Sequence, residues 1–425
     1  MNFIEELKWR NMLMDSTPGI EDLFNQGPVV GYIGFDPTAP SLTIGNMVQV
    51  MLLSHFQRTG NKPIVLMGGA TGMIGDPSFK DSERVLKTVE EIQVNIDRQM
   101  KQFRKLLDFD GPNAATFVNN YDFYKDMNVL TFLRDVGKTL TVNYMASKES
   151  VKKRMETGIS FTEFSYQLLQ GYDFQVLYDT FNCRVQMGGS DQWGNITAGT
   201  EFIRRNVGGK AYAATTPLLT KSDGTKFGKS ETGAIWLDPE MTNAYQFYQF
   251  WLNCSDADMP KLLRYFSFMS KEEILALDAL IESQPNEVKK ILAKELTIRV
   301  HSESDFESVQ KVSSLLFGKD FDESAIMALD LSTINLLKGE LEVKTMPASS
   351  WSPERQILDI LSEDIGVFSS KGEAKRAIQG QAVQINRVRI KDIGETARKE
   401  QIFGGGYVFI ENGKKQKVLI DLNSK

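Results

Sequence analysis

Cysteine and histidine are scarce in this chain: 425 residues hold two of each, Cys183 and Cys254, His55 and His301. The cysteines stand far apart, without the short spacing that grips a metal, and a reducing compartment suits them. So few histidines nearly exclude a histidine-based zinc site or a serine-type triad. No run of roughly 18 apolar residues occurs, and the N-terminal Met1-Asn-Phe-Ile-Glu-Glu carries acids where a signal peptide has cations. Neither secretion nor a membrane span is expected, which points to the cytoplasm. Internal repeats and low-complexity tracts are missing too. Nor is there a general excess of positive charge: the net of −6 argues against a protein that coats nucleic acid indiscriminately.

What is present is ordinary in bulk and uneven in detail. At 41% apolar and 24% charged residues the chain can bury a sizeable core, and its length allows two or three domains. Trp351–Lys425 holds 13 Lys and Arg against 10 Asp and Glu, whereas the preceding part holds 36 against 45. A mildly basic tail on an acidic body suggests a local RNA or phosphate contact, with a solvated surface as the plainer reading.

The chain is organised around Gly31-Tyr-Ile-Gly-Phe-Asp-Pro-Thr-Ala-Pro-Ser-Leu-Thr-Ile-Gly-Asn46. It reads as a short buried strand, a polar turn and then a helix from Ile44 to Thr59 that Gly60 ends. A strand feeding a helix N-terminus gathers free N–H groups and the positive end of a dipole, which favours anions and phosphate above all. Gly34 and Gly45 lack a Cβ, so a flat ligand can lie on the backbone there. Strands follow at Lys62–Gly69, Ala114–Asn120 and Cys183–Gly189, alternating with helices, among them Val89–Leu107 and one opened by the capping box Ser160-Phe-Thr-Glu163. That alternation predicts a parallel sheet. Tyr166, Gln170 and Asp173 fall at i, i+4 and i+7 and share one helix face. Val129-Leu-Thr-Phe-Leu-Arg-Asp-Val-Gly137 is apolar and helical, either a core helix or a dimer face. From Thr220 the character changes: a glycine- and lysine-rich loop, Lys221 to Ser230, precedes helical periodicity from Asn243 to about Lys319. Its Gly224-Thr-Lys-Phe-Gly-Lys-Ser230 has three residues between glycines where a P-loop needs four.

Taken together and in order, the Asp36–Asn46 turn, Gly188-Gly-Ser-Asp-Gln-Trp-Gly-Asn195 and Lys226-Phe-Gly-Lys-Ser230 resemble class I aminoacyl-tRNA synthetases, most closely the bacterial tyrosyl-tRNA synthetases. Further matches at Gly34-Phe-Asp-Pro-Thr38, Gly68-Gly-Ala-Thr-Gly72, Asn119-Asn-Tyr-Asp122, Ser160–Tyr166 and Leu169–Asp173 extend the resemblance over nearly the whole chain. It implies an α/β, doubly wound parallel-sheet (Rossmann-like) catalytic domain over 1–220 and a helical anticodon-side domain over 221–330. The irregular stretch 331–353, with Pro347, Ser349 and Ser350, reads by composition as a linker, and a small α+β RNA-binding domain over 354–425 follows. It also implies activation of L-tyrosine with ATP and Mg2+, transfer to tRNA(Tyr), a homodimer, no tightly bound cofactor and no dedicated protein metal site.

Carried over residue by residue, Tyr32 and Asp173 would hydrogen-bond the phenol oxygen of tyrosine. Tyr166, Gln170, Asp76 and Asn120 would surround its ammonium, and Gln192 its carboxylate. Asp191 would bind the adenylate ribose, with Gly34 and Gly189 letting the nucleotide lie close. Asp36, Thr38, Gly45 and Asn46 belong to the nucleotide turn. Lys80, Arg84, Lys226 and Lys229 would clamp pyrophosphate as it leaves. One departure stands out: the family usually has His-Ile-Gly-His where this chain has Thr43-Ile-Gly-Asn46, a form that also occurs in the sister tryptophanyl enzymes. Thr43 keeps a hydroxyl donor for the phosphates but cannot become cationic. Tyr32 and Asp173 favour tyrosine over tryptophan, because an indole offers only one donor at a different place. In the C-terminal domain Lys371, Lys375 and Arg376 would line a phosphate-facing helix, with Arg387 and Arg389 on a nearby strand. A binding protein that kept the scaffold and lost catalysis is the rival from another class.

Overall fold

The computed structural model describes residues 1–76, 87–225, 227–230, 233–318, 321–413 and 416–423. Lys80, Arg84 and Lys226 lie outside the described residues; of Lys229 the backbone is described. The chain divides into two compact units, 1–242 with 249–300, and 243–248 with 301–425. The expected helical domain is thus shared between them.

The first unit is built on five parallel strands: β1 (Val30–Phe35), β2 (Lys62–Met67), β3 (Thr116–Asn119), β4 (Cys183–Gly189) and β5 (Tyr212–Thr216). Their order is β3-β2-β1-β4-β5. β1 pairs with β2 on one side and β4 on the other, so the winding direction reverses between β1 and β4. At such a reversal the loops after neighbouring strands part, leaving a crevice at their carboxyl ends. Near-continuous apolar strands such as Pro63–Met67 are buried on both faces, as a helix-covered parallel sheet requires.

The helices that frame the crevice obey their sequence signals. The Ile44–Arg58 helix begins at a reciprocal Thr43–Asn46 capping box, and the Phe161–Phe181 helix at a Ser160–Glu163 box. Glu163 is further held by the buried Arg154 guanidinium at 2.7 Å. After β4 the chain makes a short 3-10 turn, Ser190–Gln192, before the Trp193–Val207 helix. Val129–Gly137 is a helical turn continued by a π-helical segment, Phe132–Val136, and its Val129, Leu130 and Leu133 are exposed.

In the second unit, residues 331–353 are no irregular linker. They form the Leu331–Glu340 helix, capped by Asp330, and the strand Glu342–Thr345, which pairs in parallel with Gln416–Asp421. The reason is legible afterwards: Asp330 is a good N-cap, and Glu-Val-Lys-Thr alternates to suit an edge strand. The sheet runs Val388–Arg389, Val383–Ile385, Tyr407–Asn412, Gln416–Asp421, Glu342–Thr345 over a core that includes Trp351, Phe368 and Ile378.

Candidate active site

A cavity of about 380 Å³ opens where β1 and β4 part. Tyr32, Gly34, Asp36, Thr38, Thr43, Asn46, Asp76, Asn120, Tyr166, Gln170, Asp173, Gly189 and Gln192 all line it. Residues from positions 32 to 192 therefore meet in one crevice, brought together by strand ends and by one face of the Phe161 helix.

A continuous hydrogen-bond chain runs along its floor. Tyr166 and Thr71 donate to the two oxygens of Asp36 at 3.0 and 2.7 Å. Asn120 donates to Thr71 Oγ1 at 3.1 Å and to Asp173 Oδ2 at 2.9 Å, while its own Oδ1 accepts from the Ala70 N–H at 2.7 Å. Tyr124 donates to Asp173 Oδ1 at 2.7 Å. Both amide hydrogens of Asn120 are thus committed to the protein, which makes it part of the scaffold around the ligand. Gly68 makes this possible: a Cβ there would stand 2.2 Å from Asp36 Oδ1 and 2.5 Å from Thr71 Oγ1. At the other wall Gln192 and Asn195 both donate to Asp76, at 2.8 and 3.4 Å.

Burial raises the pKa of two titratable groups of the cavity. Asp173 is 2% exposed, and burial pushes its carboxyl up to about 7, against the lowering effect of the Asn120 and Tyr124 hydrogen bonds. Tyr32 is fully buried, and burial with the nearby Asp173 charge keeps its phenol well above the ordinary value. Its hydroxyl is a neutral donor without a hydrogen-bond partner among the described residues. A buried unsatisfied hydroxyl costs about 1–3 kcal/mol, so this one is suited to a ligand oxygen.

The wall of the cavity near Gly34 and the start of the Ile44 helix is built from backbone. Gly34 lies on the cavity wall, and among the described residues nothing is within 4 Å of where a Cβ would project. Residues 42–44 run beside 235–237: Ile44 N–H donates to the Ile235 carbonyl at 3.0 Å and Leu237 N–H to the Leu42 carbonyl at 2.8 Å. Ile235 N–H in turn reaches the Gly228 carbonyl at 3.4 Å. Gly228, at φ +92°, sits so close that its Cβ would be 3.1 Å from the Gly45 nitrogen. The lysine loop's Gly228 is therefore laid against the N-terminus of the Ile44 helix, and Lys229 pairs with Ala234. Gly45 itself lies behind Thr43 and Asn46, outside the lining. Asp191 reaches back over Gly189, where a Cβ would meet its carboxylate at 2.4 Å.

Sequence reasoning passed over Thr71, Tyr124 and Asn195. Thr71 and Asn195 stand inside motifs quoted for other residues, and Tyr124 lies just beyond Asn119–Asp122. Only a partner on another element reveals their use.

The basic residues of the second unit divide. Lys375, Arg376 and Arg389 are exposed, the first two on the Lys371–Gln379 helix. Lys371 is exposed and paired with Asp359 and Glu363 at 2.8 and 3.1 Å. Arg387 departs from expectation: it is in a turn, not a strand, and is drawn inward. It donates to Glu411 at 3.0 Å and to the carbonyls of Leu315 and Gly318 at 2.5 and 3.4 Å. Asn386 and Arg387 both have positive φ, 48° and 70°, as a tight two-residue hairpin turn demands.

A family model described as tRNA synthetases class I (W and Y) matches residues 25–318, and one described as the tyrosine–tRNA ligase SYY-like C-terminal domain matches 340–420. The tyrosine–tRNA ligase of Cytophaga hutchinsonii is 51% identical over 427 residues, covering 99% of this chain and 100% of the relative. That of Porphyromonas gingivalis is 47% identical over 428 residues, with 99% of each chain covered. Among solved structures, a C-terminally truncated mitochondrial tyrosyl-tRNA synthetase of Aspergillus nidulans is 28% identical with a TM-score of 0.67. The match covers 74% of this chain and 94% of that one.

Proposed function

The chain belongs to the class I tyrosyl-tRNA synthetases, and from that membership we propose that Asp173 and Tyr32 read the phenol of tyrosine while the Ile44 helix and the lysine loop hold the phosphates of ATP. The enzyme is a tyrosine–tRNA ligase: it activates L-tyrosine with ATP to tyrosyl-adenylate and pyrophosphate, then transfers the tyrosyl group to the 3′ end of tRNA(Tyr).

The observation that carries the site reading is the fully buried hydroxyl of Tyr32, partnerless among the described residues, in the same cavity as Asp173. The phenol of the substrate accepts from Tyr32 and donates to Asp173. Phenylalanine leaves both groups unpaired in a dry pocket. Tyr166, Gln170 and Asp76 face the ammonium, and Gln192 orients the carboxylate. That carboxylate attacks the α-phosphorus in line; the bond to the bridging oxygen breaks and pyrophosphate departs with the electron pair. No protein nucleophile is needed, so positioning and charge stabilisation account for the catalysis. Gly34 and Gly189 admit the adenosine, Asp191 holds the ribose, and Asp36, Thr38, Thr43 and Asn46 shape the turn around the phosphates. Lys80, Arg84, Lys226 and Lys229 supply the cations for pyrophosphate. Mg2+ would come with ATP as part of the substrate and would offset phosphate charge; among the described residues no three His, Cys, Asp or Glu gather as a metal site.

Lys371, Lys375, Arg376 and Arg389 contact tRNA phosphates, which positions the RNA without reading its sequence. A second copy covers exposed Val129, Leu130, Leu133 and Val142 in a homodimer. Two free cysteines fit the reducing cytoplasm, and among the described residues no helix is long and apolar enough to cross a membrane. Amino-acid-dependent ATP–pyrophosphate exchange tests the site: it should run with tyrosine and be far slower with phenylalanine or tryptophan. Exchange with tyrosine that ignores both Asp173→Asn and Tyr32→Phe would refute the pocket.

A further inference from the structure

Tyr124 has no part in the reading above, yet its hydroxyl lies within it. The oxygen is 2.7 Å from Asp173 Oδ1 and 2.8 Å from the Leu169 carbonyl. A phenol has one proton to donate, and a carbonyl can only accept. When that proton points to Leu169, the Tyr124 oxygen faces Asp173 Oδ1 lone pair to lone pair, which is tolerable only if Asp173 carries a proton. When it points to Asp173, the carboxylate is ionised and held. The pair has two self-consistent arrangements that differ by one proton on Asp173. Asn120 offers no such choice, since its hydrogens and oxygen are all committed.

We propose that Tyr124 is the positioning residue that holds Asp173 in the ionised, accepting state the tyrosine phenol needs, and so sets the acid edge of tyrosine binding. This rests on Asp173 being the phenol acceptor. The groups facing Asp173 are Asn120 and Tyr124 after β3, Tyr32 and Asp36 on and after β1, and Tyr166 and Tyr172 on its own helix. None is a cation. The stabilisation of the ionised form therefore falls to the two hydrogen bonds, of which Tyr124 supplies the one that adapts. Because Asp173 titrates near neutrality, losing a donor has its effect at working pH.

The test is Tyr124→Phe, which keeps the ring packed on Tyr172 (centroids 5.7 Å apart) and removes only the O–H. In tyrosine-dependent exchange the KM for tyrosine should rise about tenfold near pH 6.5–7. Its acid edge should move up by roughly one pH unit, and its KM should converge to within about threefold of the unsubstituted enzyme near pH 8.5. The KM for ATP should not change, and preference for tyrosine over phenylalanine should fall about tenfold at pH 7. Tyr124→Met, apolar and differently shaped, should move the edge equally. A rise in KM that is the same at every pH, an unmoved edge, or an edge that moves with one variant only overturns the proposal. Asp173→Asn separates the two claims: if it leaves tyrosine KM unchanged the phenol reading fails, and if it raises KM while Tyr124→Phe leaves the edge in place, Tyr124 alone is refuted.

Discussion

Thr43 and Asn46 cap one another. Thr43 Oγ1 accepts from the Asn46 N–H at 3.3 Å, and Asn46 Oδ1 accepts from the Thr43 N–H at 3.0 Å and from the Thr43 hydroxyl at 2.8 Å. Two polar side chains on the cavity wall are thereby spent on fixing the helix end whose remaining N–H groups and dipole are proposed to receive the phosphates. Thr43→Ala should destabilise the protein by about 1 kcal/mol in urea unfolding. It should raise the KM for ATP and leave that for tyrosine alone, while Thr43→Ser should behave as the parent. A Thr43→Ala enzyme with unchanged stability would deny the cap its part.

Asp173 makes stability depend on pH. Its native carboxyl sits at about 7 because it is buried, above the unfolded value of about 3.9. Between those values the native state binds more protons than the unfolded chain, so this residue's contribution weakens as pH rises from about 4 to about 7. Asparagine at 173 can accept from Asn120 and donate to Tyr124, which then donates to Leu169. Asp173→Asn is therefore expected to be more stable than the parent at pH 8 by about 1–3 kcal/mol, with the gap closing toward pH 4. It should raise the tyrosine KM by roughly 10–100-fold. Chemical unfolding at several pH values, beside exchange kinetics, checks both halves. A variant less stable at pH 8 would contradict the assignment.

What the sequence disclosed was local periodicity and motif. Ser160-Phe-Thr-Glu163 and the spacing of Tyr166, Gln170 and Asp173 predict a capped helix with one polar face, and both are found. The parallel pairing of the first sheet also follows from alternating strands and helices, although its strand order does not. Pairwise chemistry across elements was hidden, because it depends on which ends meet. Tyr124 looks like any aromatic until Asp173 arrives from 49 residues away. Arg387 reads as a free cation on a basic tail, and only the turn geometry and Glu411 turn it inward. The Leu331 helix was obscured by the Pro347–Ser350 segment beyond it, whose composition imitates a linker.

Gly34 separates folding from function. It lies in β1 without a left-handed φ, and among the described residues nothing stands within 4 Å of a projected Cβ. Gly34→Ala should thus leave stability unchanged or raise it by about 0.4–1 kcal/mol, since the unfolded chain loses freedom. The added methyl projects into the space assigned to the nucleotide, so kcat/KM for ATP should fall at least about tenfold. An Ala variant with full activity would mean that the adenosine lies elsewhere.

Arg387 holds the C-terminal sheet to the end of the Glu303–Phe317 helix. Its guanidinium serves the Leu315 and Gly318 carbonyls and the buried Glu411 carboxylate, with Lys417 at 3.9 Å as the only other cation on Glu411 among the described residues. Burial raises the Glu411 carboxyl above its usual value even with both cations near. Removing Arg387 leaves that carboxylate poorly compensated and two helix-end carbonyls without their donor. Arg387→Ala should therefore cost about 3–5 kcal/mol, as a broken buried pair does. The pairing of Arg387 with Glu411 predicts partial repair by Glu411→Gln in the Arg387→Ala background. Affinity for tRNA(Tyr) distinguishes this from direct contact. Lys375→Ala or Arg389→Ala should lower the slope of log K against log salt by about one counterion each, while Arg387→Ala, at temperatures where it is folded, should keep the parental slope. A lowered slope for folded Arg387→Ala would restore it to the RNA-facing set.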